Sequence, residues 1–181
     1  MRRVALALIA FGIVIAATGV ALRVAASRGQ AIAKTEWETA TAGQERADQA
    51  DGPTRLSFPA QGEAFFVEEG ASRKTLLLGP ARIAWSAAPG QSGNCIIAAH
   101  RDTHFRLLKD VRKYDPVILE RQGEKFQYRI VGLSVVGPRD NRFYQPTSAP
   151  VLTLVTCYPF YYLGRAPKRF VVRAELVASN Q

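Results

Sequence analysis

Residues 4–22 run without a single charge, and most of them are aliphatic. A helix rises about 1.5 Å per residue, so the run makes roughly 28 Å, close to the hydrocarbon thickness of a bilayer. Secretory apolar regions usually span only ~7–15 residues, which favours an uncleaved anchor over a signal peptide. The alternative stays open, because Val24-Ala25-Ala26 offers small residues of the kind that cleavage uses. Gly12, Gly19 and an apolar surface all round suit lipid better than the one-sided face of a soluble helix. Arg2 and Arg3 precede the run while Arg23 and Arg28 follow it, so flanking charge barely orients it.

The pattern then changes twice. Residues 24–52 are rich in Ala, Gln, Glu, Thr and Gly and end in Asp51-Gly52-Pro53. Alanine buries little area, so this stretch reads as a partly helical or disordered juxtamembrane spacer. Residues 53–181 alternate short β-type runs with turn residues and form the folded unit. Strands are predicted at 64–68, 75–78, 95–99, 117–120, 126–136, 151–156 and 170–177, and only 105–109 looks helical. Seven or eight short strands with few helices predict an all-β closed barrel or a sandwich. Side chains alternate in direction along a strand. Ile96, Ala98 and His100 therefore share one face, and Cys95, Ile97 and Ala99 the other.

Composition narrows the chemistry. Two cysteines and two histidines are too few for a disulfide scaffold, a Cys-rich zinc module or a His-built metal centre. The 24 Lys+Arg against 15 Asp+Glu give a formal charge of +9. That suits nucleic acid, anionic lipid or acidic envelope polymer without choosing among them.

Two strand ends carry the candidate chemistry. One is Ala98-Ala99-His100-Arg101-Asp102-Thr103-His104-Phe105, a strand running into a polar turn. The other is Thr153-Leu154-Val155-Thr156-Cys157-Tyr158-Pro159, followed by Arg165, Lys168 and Arg169. A thiol must lose its proton to attack a carbonyl, and a free cysteine titrates near ~8.5. An imidazole exchanges the protons, and a guanidinium can stabilise charge developing on the carbonyl oxygen.

The Thr-Leu-x-Thr-Cys string at 153–157, with His100 upstream and Arg169 opening the next strand, resembles the sortases. These are membrane-anchored cysteine transpeptidases of bacterial envelopes. The TCYPF and HRDTHF strings look most like the class D/E and Gram-negative types, and the similarity covers roughly residues 73–177. One departure is Ala99, where many members carry Gly. The resemblance implies an eight-stranded closed barrel with His100, Cys157 and Arg169 as catalytic residues. It further implies cleavage of a Leu-Pro-x-Thr-Gly-like (LPXTG-like) sorting signal between Thr and Gly. Transfer would go to an amine acceptor, a peptidoglycan stem or a pilin lysine. Ala98, Val136, Pro138 and Thr156 are implied to line the signal groove together with the loop at 139–149, where Phe143 and Tyr144 would supply apolar walls. No metal and no organic cofactor is required by this chemistry; some relatives use calcium, and Glu63, Glu68 and Glu69 are too generic to claim it. The implied location is the cell membrane, single-pass, with the barrel on the extracytoplasmic side.

Other roles compete for the same residues. Cys95 reads as a small core residue, although an oxidising compartment would also allow a Cys95–Cys157 disulfide. Arg165 competes with Arg169, but a strand-borne side chain is held more rigidly than one in a Gly164-containing loop. His104 and Asp102 fit a turn as well as a site. Tyr158, Phe160, Tyr161 and Tyr162 could stack on bases, yet an exported, tethered domain argues for no nucleic-acid partner. A hydrolase that uses water as acceptor, or a silent envelope-binding barrel, remain the rival functions.

Overall fold

The computed structural model describes residues 2–42 and 53–180. A helix, α1 (Arg2–Ala42), leads into a barrel of eight strands. In chain order these are β1 (Thr54–Phe58), β2 (Glu63–Glu69), β3 (Ala81–Arg82), β4 (Gly93–Ala98), β5 (Pro116–Arg121), β6 (Glu124–Val136), β7 (Pro150–Tyr158) and β8 (Lys168–Asn180). The sheet runs β1-β2-β3-β4-β7-β8-β6-β5 and closes through antiparallel pairing of β5 with β1. Only β2–β3 and β4–β7 pair in parallel. A short helix α2 (Arg73–Leu78) and two 3-10 turns, His104–Lys109 and Arg142–Tyr144, complete the fold.

Closure leaves no free sheet edge and creates one interior. Leu56, Phe58, Cys95, Ile97, Leu119, Tyr128, Leu152, Leu154 and Val172 fill it. At one end the Gly90 N–H donates to the Tyr128 hydroxyl at 2.8 Å. Gly90 has φ +75°, and a Cβ there would meet the Phe126 ring at 2.1 Å. The turn beneath the barrel therefore needs glycine. The parallel pair β4–β7 is buried on its outer face too, as parallel strands usually are. A second hydrophobic cluster, described below, covers that outer face.

Two strands are additions to the sequence reading. β1 and the two-residue β3 were not foreseen, while the strand expected at 75–78 is the helix α2. A capping box sets its start: Ser72 Oγ accepts from the Thr75 N–H at 3.1 Å, and the Ser72 N–H donates to Thr75 Oγ1 at 2.9 Å.

Residues 24–42 are no loose tether. They continue α1 and lie along β2 and α2. The Gln30 amide pairs with the backbone of Phe66, donating to its carbonyl at 3.0 Å and accepting from its N–H at 2.8 Å. Gly29 sits so close to Leu78 that a Cβ would meet its Cβ at 3.0 Å. Trp37 tilts against Phe66 with ring centroids 6.1 Å apart, and Arg55 lies over the Trp37 ring. The end of the spacer, 43–52, falls outside the described residues. Ahead of Arg23, the apolar stretch of the helix is not buried against the other described residues. It is long and apolar enough to cross a membrane, with a mean hydropathy of 2.5 in its best window.

Candidate active site

The pleat of β7 sorts the Thr-Leu-x-Thr-Cys string. Leu152 and Leu154 point into the barrel, whereas Val155 belongs to a second cluster on the outside. Cys157 lies two residues beyond Val155 and so shares that outer face. Register then brings the other parts to it. Cys157 pairs directly with Arg169 across β7–β8. Arg169 in turn pairs with Val136 across β8–β6. On the other flank Ala98 pairs with Val155 in the parallel β4–β7 ladder. Two positions further along each of those chains stand His100 and Cys157. Cysteine, histidine and arginine thus end three adjacent strands at one rim of the barrel.

The join between the His and Cys elements is a hydrogen bond. Thr156 Oγ1 donates to the Ala99 carbonyl at 2.7 Å, with Thr156 only 3% exposed. The sequence reading expected Thr156 to line the signal groove. Its side chain lies on the opposite face from Cys157 and ties the exit of β4 to β7.

The outer cluster lies on the face of β7 that also carries Cys157. Ile96, Phe143, Val155 and Val171 form its buried floor, with Ile83, Ala98, Val136 and Tyr144 packed around them. Ala98 and Val136 pack against this cluster; Pro138 is exposed in the loop after β6, outside it. Asn94 was missed by the sequence reading. Its Nδ2 donates to the carbonyls of Phe143 and Gln145 at 2.8 and 3.1 Å, and its Oδ1 accepts from Thr153 Oγ1 at 2.7 Å. A buried amide with three partners fastens the Arg142–Tyr144 turn onto β4 and β7. Trp85 was also missed: two-thirds exposed, it stands edge-on to Tyr144 with centroids 6.1 Å apart. A bulky aromatic between Ile83 and the Pro89-Gly90 turn was the available signal.

Electrostatics separate the cysteines. Cys95 is 1% exposed, and burial pushes its thiol up to about 12. Cys157 is half-buried at the rim, and both thiols are free. Burial pushes the Tyr144 hydroxyl up, and the nearby Arg169 charge works the other way. Arg169 itself donates to the carbonyls of Lys168 at 3.0 Å and Ala166 at 3.4 Å. Arg165 sits exposed in the β7–β8 loop.

On the far side of His100 opens a cavity of about 720 Å³. Its walls include Arg23 of α1, Glu63, Leu77, Asp102, His104 and Asp110. His104 stands edge-on to Phe65 with centroids 5.5 Å apart. Burial, and secondly the neighbouring His100, hold its imidazole below the usual histidine range. Asp102 is exposed in the turn.

A closed eight-stranded barrel with these strand ends defines a class, and the comparisons agree. A family model of the sortase domain matches residues 56–177, and the chain belongs to that family. Sortase D of Bacillus subtilis (strain 168) is 31% identical over 123 residues, 67% of this chain and 62% of that relative. The chain therefore spans little more than three-fifths of that relative's length. Among solved structures, the Clostridium perfringens sortase D5 transpeptidase superposes with a TM-score of 0.67 at 23% identity, covering 85% of this chain and 99% of that one. The catalytic domain of B. anthracis SrtD gives 0.62 at 28% identity, covering 76% and 98%.

Proposed function

We propose that this chain is a membrane-anchored cysteine transpeptidase of the class D/E kind, acting on an LPXTG-like sorting signal. The observation that carries the reading is the set of strand ends at the barrel rim, with Cys157 opposite Arg169 and His100 two residues past the end of β4, whose Ala98 pairs with Val155. In the first step Cys157 sulfur attacks the Thr carbonyl of the signal. Arg169 stabilises the charge that develops on the carbonyl oxygen. The Thr–Gly amide breaks, the leaving amine takes a proton from the His100 imidazolium, and a thioester remains. In the second step an acceptor amine attacks that thioester and gives its proton to His100. A new amide forms and the thiolate is released, which divides one hard displacement into two easier ones.

The groove of Ile83, Ala98, Val136 and Tyr144 suits the apolar Leu and Pro of the signal. The cavity beyond His100 offers room for an acceptor, and its lining mixes Glu63, Asp102 and Asp110 with Arg23, Arg106 and Lys109. The apolar run of α1 holds the enzyme in the membrane, single-pass and facing out of the cytoplasm, where signal-bearing substrates are also membrane-held. Tethering raises their effective concentration. The test is product analysis of a Leu-Pro-x-Thr-Gly-containing peptide with and without an added peptidoglycan-stem amine. An amide-linked product that depends on the amine supports transpeptidation, and free acid alone in both reactions would reduce the enzyme to a hydrolase.

A further inference from the structure

The β7–β8 loop presents three consecutive exposed side chains at its tip. Leu163 is 99% exposed, Tyr161 71% and Tyr162 47%. Three adjacent large apolar side chains facing water call for an explanation. The tip is also held in place. Arg101, directly after His100, donates from Nη2 to the carbonyls of Tyr162 at 2.6 Å and Gly164 at 3.1 Å, and its guanidinium lies over the Tyr162 ring. Gly164, at φ +88°, makes the bend that projects Leu163 outward.

Position and charge identify what the tip meets. Arg106 lies over the Tyr161 ring, 5.4 Å from its centroid. Arg106 and Lys109 line the same cavity as Arg23, the first residue after the uncharged run of α1. Gln30, which fixes α1 to the barrel, is seven residues further on, roughly 10 Å along the helix. The barrel is thus docked within about two turns of the bilayer surface, on the side that carries the tip. Arg101 and Arg106 lie over the Tyr162 and Tyr161 rings, and Arg165 and Lys168 follow within five residues of Leu163. Aromatic rings, one aliphatic residue and a basic rim are the composition that settles at a lipid interface.

We infer that Tyr161, Tyr162 and Leu163 insert into the headgroup region of an anionic bilayer as a second membrane contact, fixing the Cys157 rim toward the membrane. The inference rests on reading α1 as an anchor. It adds a second attachment to the docked α1, and two attachment points define the face that meets the bilayer.

The test uses the full chain in liposomes of phosphatidylcholine with phosphatidylglycerol, in a Cys157→Ala background so that the thiol labelled is the one introduced. An environment-sensitive fluorophore is placed at Leu163→Cys or, as a control, at Ser179→Cys. Ser179 is exposed near the far end of β8, roughly 35 Å along the strand from Lys168. The expected result is blue-shifted emission at 163, quenched by lipids carrying a nitroxide at the headgroup, with water-like and unquenched emission at 179. Equal water-like emission at both sites, in protein that still floats with the liposomes, overturns the inference and leaves the anchor standing. A chain that does not float overturns both. Amide transfer to a soluble peptide in detergent depends on neither result, so the transpeptidase reading is judged separately.

Discussion

Cys157 and Arg169 occupy directly opposed positions on β7 and β8, on the outer face of the barrel. Register, not loop placement, sets their separation, so the pair is as rigid as the sheet. On the proposed chemistry Arg169 supplies the fixed positive charge at the reacting carbonyl. Arg169→Ala should lower kcat/KM by about 10²–10³-fold, the usual cost of one oxyanion donor. Arg169→Lys should recover little of this, because an ammonium does not reproduce the planar fork. Arg165→Gln should leave turnover of a soluble peptide near wild type; a loss equal to that of Arg169→Ala would move the role into the loop.

The Thr156–Ala99 hydrogen bond couples the strand of the cysteine to the residue before the histidine. Thr156→Val keeps the shape and leaves a buried carbonyl unpaired, at a cost of about 1–3 kcal/mol in unfolding free energy. Since the bond sets where His100 begins, kcat should fall more than KM changes, and Thr156→Ser should restore both. Steady-state kinetics beside denaturant unfolding separates this from a purely structural loss.

Asn94 should act on the groove and not on the chemistry. Asn94→Leu removes three hydrogen bonds around a buried site and strands the Phe143 and Gln145 carbonyls. A stability loss of about 2–3 kcal/mol is expected. The loosened Phe143–Tyr144 wall should raise KM for the signal peptide while kcat at saturation holds. An unchanged KM would detach that turn from substrate binding.

His104 supplies a pH dependence. Its folded imidazole titrates below the ordinary value of 6.5, chiefly because it is buried. The unfolded chain then binds more protons there than the folded one, so stability rises with pH through that window. The contribution is whole above about 6.5 and is lost as pH falls from there through the lower folded value. Unfolding free energy measured from pH 8 to pH 5 should decline, and His104→Gln should flatten part of the decline. An identical slope in the variant would contradict the assignment.

Much of this was legible in the sequence. The strands of the core, among them β4, β6, β7 and β8, show as β-branched and aromatic runs between turn residues. The Thr-Leu-x-Thr-Cys string marked the strand that carries Cys157, and Cys95 read as a small core residue, which is where it lies. What escaped had local causes. Thr75-Leu76-Leu77-Leu78 reads as strand by composition, and its capping box uses Thr75 where Glu or Gln is the recognisable signal. β3 is only two residues long, too short for any periodicity. The Thr156 bond to the Ala99 carbonyl joins residues 57 positions apart and is set by tertiary placement. Asn94, Trp85 and Gln30 act through tertiary contacts with distant backbone or rings, and such contacts leave no mark on neighbouring positions.

The most direct measurement is the intact mass of the enzyme after brief mixing with a Leu-Pro-x-Thr-Gly-containing peptide. The account predicts an adduct equal to the acyl fragment ending in Thr, mapped to Cys157, absent in Cys157→Ala and discharged by an added amine. An unmodified Cys157 during turnover, or an adduct that maps elsewhere, would contradict it.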